Sequence, residues 1–239
     1  MIILEGQKDI YALNRAVSEN GGQANVYICQ NQKNDRFVGV IYRDMSGIDP
    51  RVRRFLYETE SPAFVKLIDH GVTDFKGARC AFEIFEYMRD GNLAEQSPMD
   101  ETFVMETVVS QLNEGLHDFH EAGFLHRDIK PTNLYLLSSD DKKQVKIGDF
   151  GTAVVMDRSG SFSDATLAFT PGYVPAEVLG TGVYSPASDY YSMAVSLYYL
   201  VTGKQIYEGL LPDEIMLRTR RGDLVDLGMI SRRLGTLLE

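Results

Sequence analysis

The chain is poor in cysteine and has no long apolar run. Of its 239 residues only Cys29 and Cys80 are cysteines, and they stand far apart. That excludes a disulfide-stapled secreted scaffold and reads as two free thiols in a reducing compartment. No apolar stretch approaches the ~18 residues a membrane span needs. The opening residues Ile2, Ile3, Leu4 and Glu5 lack a basic region and a long apolar core, so they do not read as a signal peptide. Ile2 occupies the position where N-myristoylation would need glycine. Internal repeats and low-complexity linkers are missing as well. Together these absences predict a cytoplasmic protein without membrane insertion.

What remains is the composition of an ordinary globule, 44% hydrophobic and 24% charged. The length suffices for one bilobal domain or two small ones. A net charge of −10 excludes nucleic acid or an anionic membrane as the main partner. It leaves phosphate ligands open, because local donors and metal ions bind them.

Strand patterns dominate the first third. Asn25–Cys29 and Arg36–Tyr42 are β-rich runs around the polar turn Asn31–Asp35, and Phe64–Ile68 and Ala81–Phe85 are two more. Between them, Asp49-Pro50 introduces a short charged helix reaching Glu60. The pattern breaks at Arg89-Asp90-Gly91-Asn92, which sets a division into residues 1–88 and 89–239. Helices follow. Val104, Val108, Leu112, Leu116 and Phe119 recur at threes and fours until Gly123, and Tyr190–Thr202 is apolar nearly all round until Gly203.

Two strings carry chemistry. The first is His126-Arg127-Asp128-Ile129-Lys130-Pro131-Thr132-Asn133, and the second is Asp149-Phe150-Gly151. They supply a carboxylate base, a lysine two residues on, an amide oxygen and a second carboxylate. An isolated Asp or Asn in a loop is ordinarily a turn residue; the complete strings in this order are not.

They resemble the H-R-D-x-K-x-x-N and D-F-G motifs of eukaryotic-type protein kinases. The resemblance runs from about Val17 to Leu210 and implies an α+β, bilobal protein kinase-like fold, with a small antiparallel β-lobe and a mainly helical lobe. It further implies ATP and Mg²⁺ as cofactors and a protein substrate with a Ser/Thr hydroxyl. On the matching positions, Asp128 would orient the hydroxyl and accept its proton, and Lys130 would steady the γ-phosphate. Asn133 and Asp149 would hold Mg²⁺. His126 and Phe150 would be structural. Thr170–Glu177 resembles the T-P-x-Y-x-A-P-E segment with its Ala-Pro pair exchanged, and Asp189 opens the helix that would anchor the catalytic-loop backbone. In between, Ser159, Ser161, Ser163 and Thr166 are candidate phosphorylation sites that would pair with Arg127, or simply a solvated polar loop.

For the nucleotide, the alignment names Gly21, Gly22, Val26, Gly39, Glu86, Met88 and Tyr135, with Phe85 at the gatekeeper. The glycine-rich loop departs from G-x-G-x-x-G-x-V, since only Gly21 falls on a required glycine, and a plain hairpin turn at Gly21-Gly22 fits too. Aligning Val38–Ile41 with V-A-I-K puts Gly39 at the small position and Ile41 where the lysine belongs. Arg43 is the nearest cation. The helix that should carry the partner glutamate reads Arg51, Val52, Arg53, Arg54. Losing a phosphate clamp costs about 2.7–4 kcal/mol of transition-state stabilisation, which predicts a slow kinase.

A pseudokinase scaffold or nucleotide-binding signalling module is the alternative. A small-molecule phosphotransferase of the antibiotic- or choline-kinase type fits less well, because Lys130 and the segment up to Glu177 are unlike it. In the family Glu177 pairs with a later arginine and further helices follow Leu224. The resemblance therefore predicts that the protein continues beyond Glu239, or else that Arg232 or Arg233 serves.

Overall fold

The computed structural model describes residues 2–18, 24–139, 142–163, 169–221 and 229–238. They form two compact units. The first comprises Met1–Glu60 and Val65–Arg89, and the second comprises Ser61–Phe64 and Asp90–Glu239.

The first unit is a six-stranded antiparallel sheet with one helix. Its strands are β1 (Ile3–Glu5), β2 (Ile10–Ser18), β3 (Ala24–Gln30), β4 (Arg36–Tyr42), β5 (Leu67–Phe75) and β6 (Ala78–Glu86), in the order β1-β2-β3-β4-β6-β5. The outermost strands β1 and β5 also approach each other, so the sheet curls around an interior. Leu4, Tyr11, Tyr27, Cys29, Ile41, Phe75, Cys80, Phe82 and Ile84 fill it. Helix α1 (Pro50–Glu58) begins where the Asp49 side chain accepts from the Arg51 N–H and Pro50 presets the first turn. It buries Val52 and Leu56.

Asp69, fully buried on β5, ties the start of this unit together. Its carboxylate accepts from the backbone N–H groups of Gln7, Lys8, Asp9 and His70 and from the Tyr11 hydroxyl. Burial alone opposes ionisation, but these hydrogen bonds hold the Asp69 carboxyl below its ordinary range. A β-carbon on Gly6 would collide with an Asp69 oxygen, so only glycine lets the turn close over it.

The second unit is mainly helical. Its first long helix opens as α2 (Glu101–Phe103), passes through a π-turn at Val104–Val108 and continues as α3 (Val109–Glu121). Short strands follow: β7 (Phe124–Leu125), β8 (Leu134–Ser139), β9 (Lys142–Ile147), β10 (Val154–Val155) and β11 (Phe162–Ser163). Then come α4 (Ala176–Thr181), β12 (Val183–Tyr184), α5 (Pro186–Thr202), α6 (Pro212–Arg221) and α7 (Arg232–Leu238). Helix α5 starts in a capping box between Ser185 and Ser188 and ends at Gly203, whose φ of 70° is the left-handed cap that glycine adopts without strain. Among the described residues no helix is long and apolar enough to cross a membrane.

The elements depart from the sequence pattern at both ends of the first unit. Strands β1 and β2 were not anticipated, because only Leu4 and Tyr11 of their twelve residues are buried and no clean alternation results. The strand expected at Phe64–Ile68 starts instead at Leu67. Phe64 belongs to the second unit, where it bridges to Ile147 and its ring meets Phe119 and Phe150.

Candidate active site

Asp128 is the centre of a tight polar cluster in the second unit. Its Oδ1 accepts from the Lys130 ammonium at 3.0 Å and from the Thr170 hydroxyl at 2.9 Å. Its Oδ2 lies 2.8 Å from the same ammonium and accepts from Asn133 Nδ2 at 2.9 Å. Lys130 also donates to Thr170 Oγ1, at 3.2 Å. The Asn133 amide nitrogen donates further to the Asp128 carbonyl, at 2.8 Å. Its nitrogen end is therefore fixed toward Asp128, and the oxygen is the end that can meet a cation.

The loop that presents Asp128 is held from behind. Asp189, 1% exposed in the first turn of α5, accepts from the backbone N–H groups of His126 and Arg127 at 2.9 and 2.8 Å. His120 Nε2 lies 2.9 Å from the same carboxylate. Arg127 adopts φ 70°, a left-handed conformation that non-glycine residues seldom take without such support. Asp149 likewise has φ 59° and is exposed. Behind these loops the buried His126 ring bonds the Gly148 carbonyl at 3.1 Å and meets the Phe150 ring edge-on at 5.2 Å. Phe150 in turn contacts Phe64 and Phe119.

Asn133 and Asp149 offer one amide and one carboxylate oxygen, the hard donors that Mg²⁺ prefers. Among the described residues no cluster of three or more His, Cys, Asp or Glu could hold a metal by itself. These donors fit a Mg²⁺ whose remaining ligands are phosphate oxygens and water. Tyr135 lies nearby: burial pushes its hydroxyl up to about 12, with Asp149 and Glu95 adding to the effect.

The residues expected in the activation loop divide. Thr170 joins the Asp128 cluster. Ser159 and Ser161 bond Asp157, which closes its own turn and whose carboxyl the Ser159 hydroxyl, above all, holds low. Ser163 is exposed on β11, and Thr166 lies outside the described residues. The Arg127 guanidinium is stacked over the rings of Phe162 at 4.9 Å and Tyr184 at 4.5 Å, which face each other in the β11–β12 pair.

Glu177 makes no buried ion pair with Arg232 or Arg233. It is exposed, as are Arg232 and Arg233, because α4 turns Val178 and Leu179 inward instead. The arginine that reaches α4 is Arg220, which donates to the Leu179 carbonyl at 3.1 Å.

In the first unit, Gly21 and Gly22 lie outside the described residues. The Glu86 carboxylate accepts from the Lys66 N–H at 2.7 Å, and the Glu86 N–H donates to the Lys66 carbonyl at 3.0 Å. Met88 is buried.

Gly39 and Val26, both named for the nucleotide, do not share a face of the sheet. Residues directly opposite in an antiparallel pair point to one face. Val26 pairs with Val40, and Val38 pairs with Phe85, whereas Gly39 pairs with Tyr27 and Ile41 with Phe82. Val26 and the gatekeeper Phe85 therefore share a face with Val38 and Val40. Gly39 and Ile41 point into the sheet's interior, where a β-carbon on Gly39 would sit 3.5 Å from Cys29, Ile84 and Leu4 atoms. In a strand a shift of one residue moves every side chain to the other face, and the β4 residues on the face of Val26 and Phe85 are Val38 and Val40. Arg43, exposed beyond the end of β4, shares the face of Ile41 by alternation.

On the Val40 face the sequence reading missed one acid. Val26, Val40, Glu83 and His70 form a row across β3, β4, β6 and β5. Glu83 is fully buried. Its signal was a lone acid inside the apolar run Cys80–Phe85.

An α+β kinase fold and an Asp-Lys-Asn catalytic loop define the class. The chain belongs to the protein kinase domain family, which matches residues 20–227. It is 28% identical over 242 residues to the probable serine/threonine-protein kinase pknA2 of Bifidobacterium longum, covering 95% of this chain and 30% of that protein. It is 30% identical over 208 residues to the serine/threonine-protein kinase pkn2 of Myxococcus xanthus, covering 81% and 24%. With the serine/threonine-protein kinase PknL of Mycobacterium tuberculosis it shares 31% over 202 residues, covering 80% and 49%. The chain thus spans less than half the length of these curated relatives.

Proposed function

We propose that this chain transfers the γ-phosphoryl group of Mg-ATP to a Ser or Thr hydroxyl of a protein substrate in the cytoplasm, and does so slowly. The observation that carries the reading is the Asp128 cluster, with its carboxylate oriented by Lys130, Thr170 and Asn133. Asp128 orients the incoming hydroxyl and takes its proton. Lys130 neutralises charge beside that carboxylate and on the transferred group. Asn133 and Asp149 would hold Mg²⁺, which when bound offsets charge on the triphosphate. The low rate follows from Val40, which supplies no cation from strand β4.

The same valine supports a second reading, a kinase-fold scaffold without turnover. Single-turnover transfer from radiolabelled ATP, wild type against Asp128→Asn, separates the two. Label incorporation that disappears with Asp128 supports the enzyme. No incorporation in either protein, together with no rise in Tm in excess Mg-ATP, leaves the scaffold.

A further inference from the structure

In the family pattern a strand lysine pairs with a helix glutamate. Here both members are replaced, and the charges stand the other way round. Val40 lies on the face of Val26 and Phe85, and directly across from it on β6 stands Glu83. The nearest base on the helix side is Arg53 of α1, whose Nη1 lies 4.0 Å from Glu83 Oε1.

Glu83 is an unusual residue for its surroundings. It is 0% exposed, between Phe82 and Ile84 of the sheet's interior cluster. Its Oε1 accepts from the Ile48 N–H at 3.2 Å, and the Tyr42 hydroxyl also bonds the carboxylate. Its Oε2 is completely buried and has no hydrogen-bond partner among the described residues. Burial pushes the carboxyl up, against the lowering pull of Tyr42, Ile48 and Arg53. A buried acid with an unmatched oxygen is a liability for folding, and glutamine, which keeps an acceptor without the charge, would fit the site better.

Arg53 is placed differently from its basic neighbours. Arg51 and Arg54 are exposed and pair along the helix with Asp49 and Glu58. Arg53 is 28% exposed on its side chain and lies beside the inward-facing Val52. One end of its guanidinium faces Glu83. The remaining N–H groups of the planar fork suit a phosphate, which arginine binds through two parallel hydrogen bonds.

We propose that Arg53 is the cation that the first unit offers to the phosphates of the nucleotide, with Glu83 as its positioning residue, in an ion pair of reversed polarity. This rests on the kinase reading above. A helix-borne arginine oriented by a sheet acid takes over the task of a strand lysine oriented by a helix acid. Val26, Val38 and Val40 on the same face leave the adenine side apolar.

The test compares two ligands, Mg-ATP and adenosine, on the full chain by calorimetry. Adenosine shares the base and sugar but has no phosphate. Arg53→Ala should weaken Mg-ATP by about tenfold or more and leave adenosine unchanged, as loss of a charge-assisted hydrogen bond requires. Arg53→Lys should fall between. Where Arg53→Ala does not fold, Arg53→Gln keeps the side-chain length without the charge. Glu83→Gln should weaken Mg-ATP several-fold while raising Tm at neutral pH, opposite effects that a merely structural acid would not combine.

Equal losses for both ligands, or Mg-ATP affinity unchanged in Arg53→Ala, would overturn the proposal and leave the kinase reading intact. A wild-type chain that binds no Mg-ATP would remove both.

Discussion

The catalytic loop of the second unit and the Val40 row of the first each place a carboxylate near a cation, but they treat charge differently. Around Asp128 each carboxylate oxygen has partners, and Asp189 behind it is bonded by two backbone N–H groups and His120. Around Val40 the sheet buries Glu83 with one oxygen unmatched and an arginine at the edge of ion-pair distance. A fully satisfied cluster fixes geometry and resists change. A partly satisfied one leaves a buried group without its partner and lowers local stability. In the reading proposed above, the chemical step belongs to the loop and phosphate recognition to the sheet and helix.

The largest effect that could break this contrast is at Asp128. Asp128→Asn removes the proton acceptor and should lower single-turnover transfer by about 10²–10⁴-fold, with the melting temperature nearly unchanged. Asp189→Ala comes next. It strands two buried N–H groups, and urea unfolding should show a loss of about 3 kcal/mol.

Glu83→Gln should act in the opposite direction. The folded-state pKa of Glu83 is raised, so its contribution to stability is present below the unfolded carboxyl value and is lost as pH rises through the folded value. Replacing it should add about 1 kcal/mol at neutral pH and nothing in acid, as melts at the two conditions would show. The smallest effect is at Gly39. A methyl there meets only ordinary contacts, so Gly39→Ala should change stability by less than about 1 kcal/mol. Mg-ATP affinity should be unchanged, because the residue faces the interior.

The loop could be read from sequence and the strand could not, for a physical reason. His126 to Asn133 and Asp149 to Gly151 combine polar types whose spacing is set by local hydrogen bonds, so the string alone identifies them. In β4 the residues Val38, Gly39, Val40 and Ile41 are all small or apolar and all at least half-buried. Period-two alternation disappears, and two registers one residue apart look alike. Cross-strand pairing with Val26 and Phe85 resolves what composition could not. Thr170 was assigned to the activation loop, but its bond to Asp128 spans 42 residues of sequence and no local pattern announces it. The contact between Arg53 and Glu83 was hidden because it joins a helix to a strand, and no local pattern announces it.

Asp69 works as a latch on the sheet's outer margin. Because its folded carboxyl titrates low, the grip on Gln7, Lys8 and Asp9 is complete at neutral pH and lets go only as acidity passes that depressed value. Once released, the three-residue strand β1 is held to β2 by its short ladder and the buried Leu4, and can peel away. The nine-residue margin of Ile10–Ser18 would then be bare and open to pairing with another molecule. Strong acid should therefore raise light scattering, a sign of self-association, before the helical signal of the second unit is lost.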